Sequence, residues 1–278
     1  MTVLAVTGGK GGVGKTTLAI QAAMGLAESG ASTVLIDASF SHGCVDLHLG
    51  LSPLRDLADV LHCRHGLDDV MVEVDDHLSV LPGCTGSPEI ADLRPPLAER
   101  FIGLVRFLVS RHDHVVIDTG AGLHAAAREP LRLADRILLV LTPDPAAVVG
   151  TYSVARALGV MHRDLVPEIV VNQVESLRQG ADVHWRLREA LREGQGLDVG
   201  LACAVPWDPL VMDSVALQSP VRASEGGKGA SGAFARLARC LRGASESPTA
   251  ESAEGCVVPF VRQTATVGAA ASSEGSEE

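Results

Sequence analysis

The chain has 278 residues, is 46% apolar and carries a formal net charge of −11, a length that suits one large α/β domain with a tail and leaves ample room for a core. The acidic balance, with no block of Lys or Arg, argues against DNA binding through a basic face. No apolar run approaches the length of a membrane span, the start lacks a signal-peptide pattern, and six scattered cysteines without a C-x-x-C pair fit reduced thiols, so a cytoplasmic protein is expected, at most peripheral at the inner face of the membrane.

The first expected strand, Val3–Thr7, runs into Gly9-Lys10-Gly11-Gly12-Val13-Gly14-Lys15-Thr16-Thr17, and a helix is expected over Thr16–Ser29. Strand, glycine-rich turn and helix in that order make G-x-x-x-x-G-K-T a phosphate-binding loop. The glycines let successive backbone N–H groups curl inward on phosphate oxygens, and the helix adds its positive N-terminal end. Lys15 then reaches the β/γ-phosphates of a nucleotide, and the Thr16 hydroxyl ligates Mg²⁺. Of the three lysines in the chain this loop holds two, Lys10 and Lys15; arginine carries nearly all the other positive charge.

The next strand, Thr33–Asp37, ends in Val34-Leu35-Ile36-Asp37-Ala38-Ser39, and a carboxylate at the C-terminal end of a parallel strand faces the ligand crevice of a doubly wound sheet. His62-Cys63-Arg64-His65 lacks the distant second half that a zinc site needs and reads as a polar helix end. After a strand at Leu78–Leu81 and a helix at Leu97–Arg111, the strand His114–Thr119 carries Val115-Val116-Ile117-Asp118, an apolar run ending in Asp with a Gly-rich continuation to Gly122. Strands are further expected at Arg136–Leu141, Glu168–Asn172 and Gly200–Val205, with helices at Ala146–Leu158, His184–Glu193 and Ser231–Arg242. This alternation predicts an α/β fold, a doubly wound, mostly parallel sheet of about seven or eight strands with helices on both faces. Residues 1–243 form that domain, and 244–278, with six Glu against one Arg and much Ser, Ala and Gly, are expected to be a disordered tail.

Lys10, just after the first glycine, is not needed to build the loop. It marks the deviant pattern K-G-G-x-G-K-T, and with the segments ending in Asp37, Asp118 and Asn172 the chain resembles the MinD/ParA family of P-loop ATPases over about residues 2–242. The resemblance implies Mg·ATP hydrolysis and an ATP-sandwich homodimer in which Lys10 of one subunit touches the phosphates held by the other. It implies that Asp118 holds Mg²⁺ through water and that Asp37 supports the Mg²⁺ water shell or the Walker loop. It also implies that Asn172 reads the adenine edge and that Pro206-Trp207-Asp208 closes over the base. Trp207 either stacks on adenine or packs on the domain, both readings remaining open.

Two departures bear on turnover. Ser39 stands where the family usually has an Asp that positions the attacking water, and Cys44 replaces the Asn of an N-x-D-x-x-L-G pattern that keeps Asp46 and Gly50. Gly50–Leu57 and Leu81–Leu93 resemble the flagellar number regulator branch (FlhG, FleN or YlxH), and Asp68–Glu73 is similar to the helix preceding its antiparallel strand. The branch's glutamine-containing N-terminal extension and basic C-terminal helix are not expected here. The resemblance implies a switch controlling the placement or number of a cell-surface machine, foremost flagella, with an SRP-type GTPase or a flagellar component as partner. The alternatives are an ATP-binding scaffold with little hydrolysis, given Ser39, and a septum-site or partition factor. The absence of any cysteine between Cys84 and Cys203 opposes an iron–sulfur role.

Overall fold

In a computed structural model of the chain, the described residues are 1–40, 43–84, 90, 93–123, 125–162 and 164–243. The expected tail, 244–278, and residues 85–89, 91 and 92 of the branch-like segment lie outside them. The strands are β1 (Thr2–Thr7), β2 (Thr33–Asp37), β3 (Val72–Asp75), β4 (Leu78–Leu81), β5 (His114–Asp118), β6 (Arg136–Leu141), β7 (Glu168–Val174) and β8 (Gly200–Pro206). The helices are α1 (Lys15–Ala27), α2 (Val45–Leu49), α3 (Leu57–Leu61), α4 (Pro95–Val109), α5 (Ala125–Leu133), α6 (Pro145–Met161), α7 (Leu177–Gln195), α8 (Pro209–Ala216) and α9 (Gly229–Leu241). The strands form one sheet in the order β3-β4-β2-β5-β1-β6-β7-β8, antiparallel only between β3 and β4.

This is the expected doubly wound α/β architecture. The central strands read as unbroken apolar runs because helices cover both faces: β2 is buried along its whole length, and β1, β5 and β6 are buried after their first residues. The chain places β1 between β5 and β6, so the loops leaving β1, β2 and β5 converge beside the switch in strand order, where such sheets bind ligands.

One expectation is corrected. The helix over Asp68–Glu73 does not form: a single 3₁₀ turn covers Leu67–Asp69, and Val72 and Glu73 belong to edge strand β3. The physical reason is alternation, with Val72 and Val74 half-covered and Glu73 and Asp75 exposed. Asp75 Oδ1 then closes the hairpin by accepting from the backbone N–H groups of His77 and Leu78, each at 2.9 Å. Helix α7 also begins seven residues before the expected His184, because Ser176 caps it by accepting from Gln179 N at 3.2 Å.

Past β2, the buried Phe40 packs edge-on against Phe101 of α4, with ring centroids 5.9 Å apart. This contact anchors the start of the segment between β2 and α2. No helix among the described residues is long and apolar enough to cross a membrane.

Candidate functional site

The glycine-rich loop lies between β1 and α1. Gly14 has φ 93°, a left-handed conformation, and a Cβ there would come within 2.3 Å of Asn172 Nδ2, so conformation and space both demand glycine. Asn172 reaches across from β7 and donates from Nδ2 to the Val13 carbonyl at 2.8 Å, tying the loop to the far half of the sheet. Lys15 opens α1 and donates from Nζ to the Lys10 carbonyl at 3.0 Å. Burial pulls its pKa down, and the charge of Asp118 partly restores it.

Thr16 Oγ1 donates to Asp118 Oδ2 at 2.5 Å, joining the start of α1 to the end of β5. Asp118 stands directly across the sheet from Asp37 at the end of β2, and both are fully buried. Burial, and then the neighbouring charge of Asp118, push Asp37 up to about 7. Asp118 is also raised by burial, against the opposing hydrogen bonds from Thr16 and Gly120. Asp37 is not left free: Oδ1 accepts from Ser39 N and Oδ2 from Val45 N, both at 3.0 Å. Its carboxylate thus fastens both ends of the segment that joins β2 to α2. Cys44 Sγ is 3.8 Å from Thr16 Oγ1, and burial raises the pKa of that thiol.

A cleft of about 310 Å³ opens beside the loop. It brings together Gly12, Gly14, Lys15, Thr16, Thr17, Asn172, Pro206, Trp207 and Asp208, all expected at the site from the sequence. Trp207 is 61% exposed at its rim. Asp208 spends its carboxylate on structure, capping α8 at Leu210 N and accepting from Ala230 N at the start of α9, each at 3.0 Å. Lys10 does not line the cleft; its Nζ pairs with Asp144 Oδ1 at 3.0 Å. Ser39 lies against Gly120 and also stays outside the cleft lining.

Sequence reasoning missed Asp144, His48, Gln173 and Met212. Asp144 was signalled by its position before Pro145 as the N-cap of α6, and His48 by standing one helical turn after Cys44. Gln173 holds φ 57° at the cleft wall, for which the sequence carries no cue.

The donor set fits a magnesium nucleotide. The loop backbone at Gly12 and Gly14 and the Lys15 ammonium suit phosphates, and the Thr16 hydroxyl beside the buried Asp118 carboxylate supplies the hard oxygens that Mg²⁺ takes. Residues 1–241 match the family described as cellulose biosynthesis protein BcsQ. The chain belongs to the BcsQ and MinD/ParA family of P-loop ATPases. It is 31% identical to the antiactivator FleN of Pseudomonas aeruginosa over 221 residues, 79% of this chain and 78% of that protein. The flagellum site-determining protein YlxH of Helicobacter pylori is 26% identical over 185 residues, 66% of this chain and 62% of its own. Among solved structures, the septum site-determining protein MinD of Pyrococcus horikoshii, complexed with Mg-ADP, superposes with a TM-score of 0.71 at 20% identity, covering 87% of this chain and 96% of that one. The family makes this chain a MinD/ParA-like P-loop ATPase, with ATP and Mg²⁺ as its cofactors.

Proposed function

We propose that the chain is a cytoplasmic, ATP-driven dimerising switch that sets the number or placement of flagella. The observation carrying this reading is the Thr16–Asp118 contact beside Lys15, with Asp37 fastening the segment that leads into α2. In this reading Gly9 to Thr17 cradle the phosphates, Lys15 holds the β/γ end, and Thr16 and Asp118 hold Mg²⁺, the latter through water. Asp37 fastens the segment between β2 and α2 through the N–H groups of Ser39 and Val45 and, across the sheet from Asp118, supports the Mg²⁺ water shell. Asn172 and Pro206 to Asp208 bound the base. Bound Mg²⁺ supplies charge neutralisation between the β- and γ-oxygens.

Lys10, outside the cleft and paired with Asp144 of its own subunit, serves a second copy in this reading once that pair opens. The homodimer is further supported by helix α8, which buries none of its residues and exposes Leu210 and Met212, with Trp207 and Leu217 exposed at its two ends. The output partner in this reading is a flagellar component or an SRP-type GTPase. The flagellar assignment rests on the likeness to FleN and YlxH. The net charge of −11 supports a task without direct DNA contact.

Phosphate release and sedimentation with Mg·ATP test the reading, with Lys15→Ala as the blank. Turnover and ATP-dependent dimers that vanish together in the variant are expected. Binding and dimerisation without turnover would instead establish the scaffold that Ser39 and Cys44 favour. No nucleotide binding would overturn both.

A further inference from the structure

We propose that His48 is a positioning residue for the nucleotide, donating its ring N–H to the α/β end of the phosphate chain while Gln21 sets its tautomer through one water. The inference rests on the nucleotide reading above and adds to it a residue outside the glycine-rich loop.

His48 lies on α2, one turn beyond Cys44, and its side chain borders two spaces at once. On one side it lines the nucleotide cleft together with Thr16 and Thr17. On the other it lines a small cavity of about 10 Å³, shared with Gln21, Ser214 and Val215, which has room for one water. Gln21 is only 3% exposed, and its Nε2 donates to the Val221 carbonyl at 2.8 Å. Its Oε1 has no hydrogen-bond partner among the described residues. A buried acceptor left unmatched is costly, so it calls for a donor.

Ser214 does not supply that donor, because its hydroxyl proton goes to the Val211 carbonyl at 2.8 Å. One water in the cavity can meet this need, giving one proton to Gln21 Oε1 and the other to a ring nitrogen of His48. Burial favours the neutral imidazole, against the charges of Asp118 on β5 and Asp46 on its own helix. A neutral imidazole has one lone pair and one N–H. With the lone pair held by the cavity water, the N–H is left on the cleft side.

On that side His48 shares the cleft wall with Thr16 and Thr17 at the end of the glycine-rich loop, whose backbone N–H groups cradle the α/β-phosphates in such loops. The competing explanation is that His48 only packs α2 against α8. Packing does not depend on a donor at the ring, whereas the proposed role does.

The test measures binding of fluorescently labelled ADP and of β,γ-imido-ATP to the full chain, in wild type, His48→Leu, His48→Gln and Gln21→Leu. His48→Leu is expected to weaken both nucleotides alike by about tenfold or more, the size of one hydrogen bond to a charged group. His48→Gln, which keeps a donor, is expected to recover most of the loss. ¹⁵N spectra of the His48 ring in wild type provide a readout independent of variant folding: one tautomer, with the protonated nitrogen shifting on adding ADP. Gln21→Leu is expected to mix the tautomers. Binding by a folded His48→Leu within about twofold of wild type, or ring nitrogens indifferent to ADP, would overturn the proposal. A loss confined to the imido-ATP would overturn it too, since that points to the γ-phosphate. Wild-type protein that binds neither nucleotide would sink the nucleotide reading itself.

Discussion

Lys10 Nζ lies 3.0 Å from Asp144 Oδ1, so the lysine that distinguishes this loop is held within its own subunit by the residue that caps α6. The Asp144 carboxylate also accepts from Thr142 Oγ1 at 2.5 Å and from Ala147 N at 3.0 Å. The Thr142 hydroxyl foremost, and then Lys10, hold it at about 2. A lysine meant for a neighbouring subunit must first leave this partner. Both side chains are well exposed, so the pair is worth at most about 1 kcal/mol and weakens with salt.

Asp144→Asn keeps a cap for α6 and removes the charge that retains Lys10. It is expected to move ATP-dependent dimerisation to a protein concentration lower by up to about fivefold, as read by analytical ultracentrifugation. A weaker dimer would show instead that Asp144 acts within the assembled interface.

The Asp37–Asp118 pair predicts a pH dependence. Asp37 has a folded pKa of about 7, well above its ordinary carboxylate value, so the folded protein binds a proton that the unfolded chain has lost. Stability of the nucleotide-free protein is therefore expected to fall as pH rises from about 4 towards 7, and the raised Asp118 acts in the same direction. Mg·ADP supplies positive charge at the site and favours the ionised pair, so it should release a proton and stabilise more at pH 8 than at pH 6. Differential scanning calorimetry across pH, with and without Mg·ADP, checks both signs. A melting temperature of the nucleotide-free protein that rises over the same window would show that the pair is ionised in the fold.

Much of this was legible in the sequence because the signals are local. The glycine-rich loop, the strands ending in Asp37 and Asp118, and the covered central strands each announce themselves within a few residues. What was not legible depends on contacts distant in the chain. That the Asn172 amide donates to Val13 is one such contact, a pairing set by sheet order rather than by neighbours. The Lys10–Asp144 pair spans 134 positions, and the short β3 is an edge strand whose two apolar residues give little pattern to read. Asp37 was read as facing the crevice; that its oxygens hold the backbone of Ser39 and Val45 follows only from the path of the intervening segment.

That anchoring has its own test at Gly83. A Cβ on Gly83 would stand 2.6 Å from Asp37 Cγ and 2.9 Å from each carboxylate oxygen, and that buried carboxylate is held by two backbone N–H groups. Gly83→Ala is expected to displace Asp37, release the N–H groups of Ser39 and Val45, and destabilise the fold by about 1–3 kcal/mol. Amide hydrogen exchange should rise first in the segment between β2 and α2. Unchanged protection there would mean that Phe40 and Phe101, not Asp37, hold it.

Ser39→Asp addresses the feature most at odds with fast turnover. Ser39 follows β2 at the point where its N–H is already bonded to Asp37 and its side chain rests beside Gly120, next to the end of β5. An aspartate there would place a third carboxylate near two buried ones, and without a cation their repulsion opposes folding. The nucleotide-free variant is therefore expected to melt below wild type at pH 8 and to approach it near pH 5. With Mg·ATP the balance reverses, because bound Mg²⁺ screens the cluster and the new carboxylate can orient and polarise a water in a way that a hydroxyl cannot. Phosphate release is expected to rise by about tenfold or more, a modest share of the roughly 10²–10⁴-fold that a positioned acid–base group supplies. If turnover does not rise although the variant binds ATP, water positioning does not limit the reaction, and the slow step lies in dimer formation or in the absence of an activating partner.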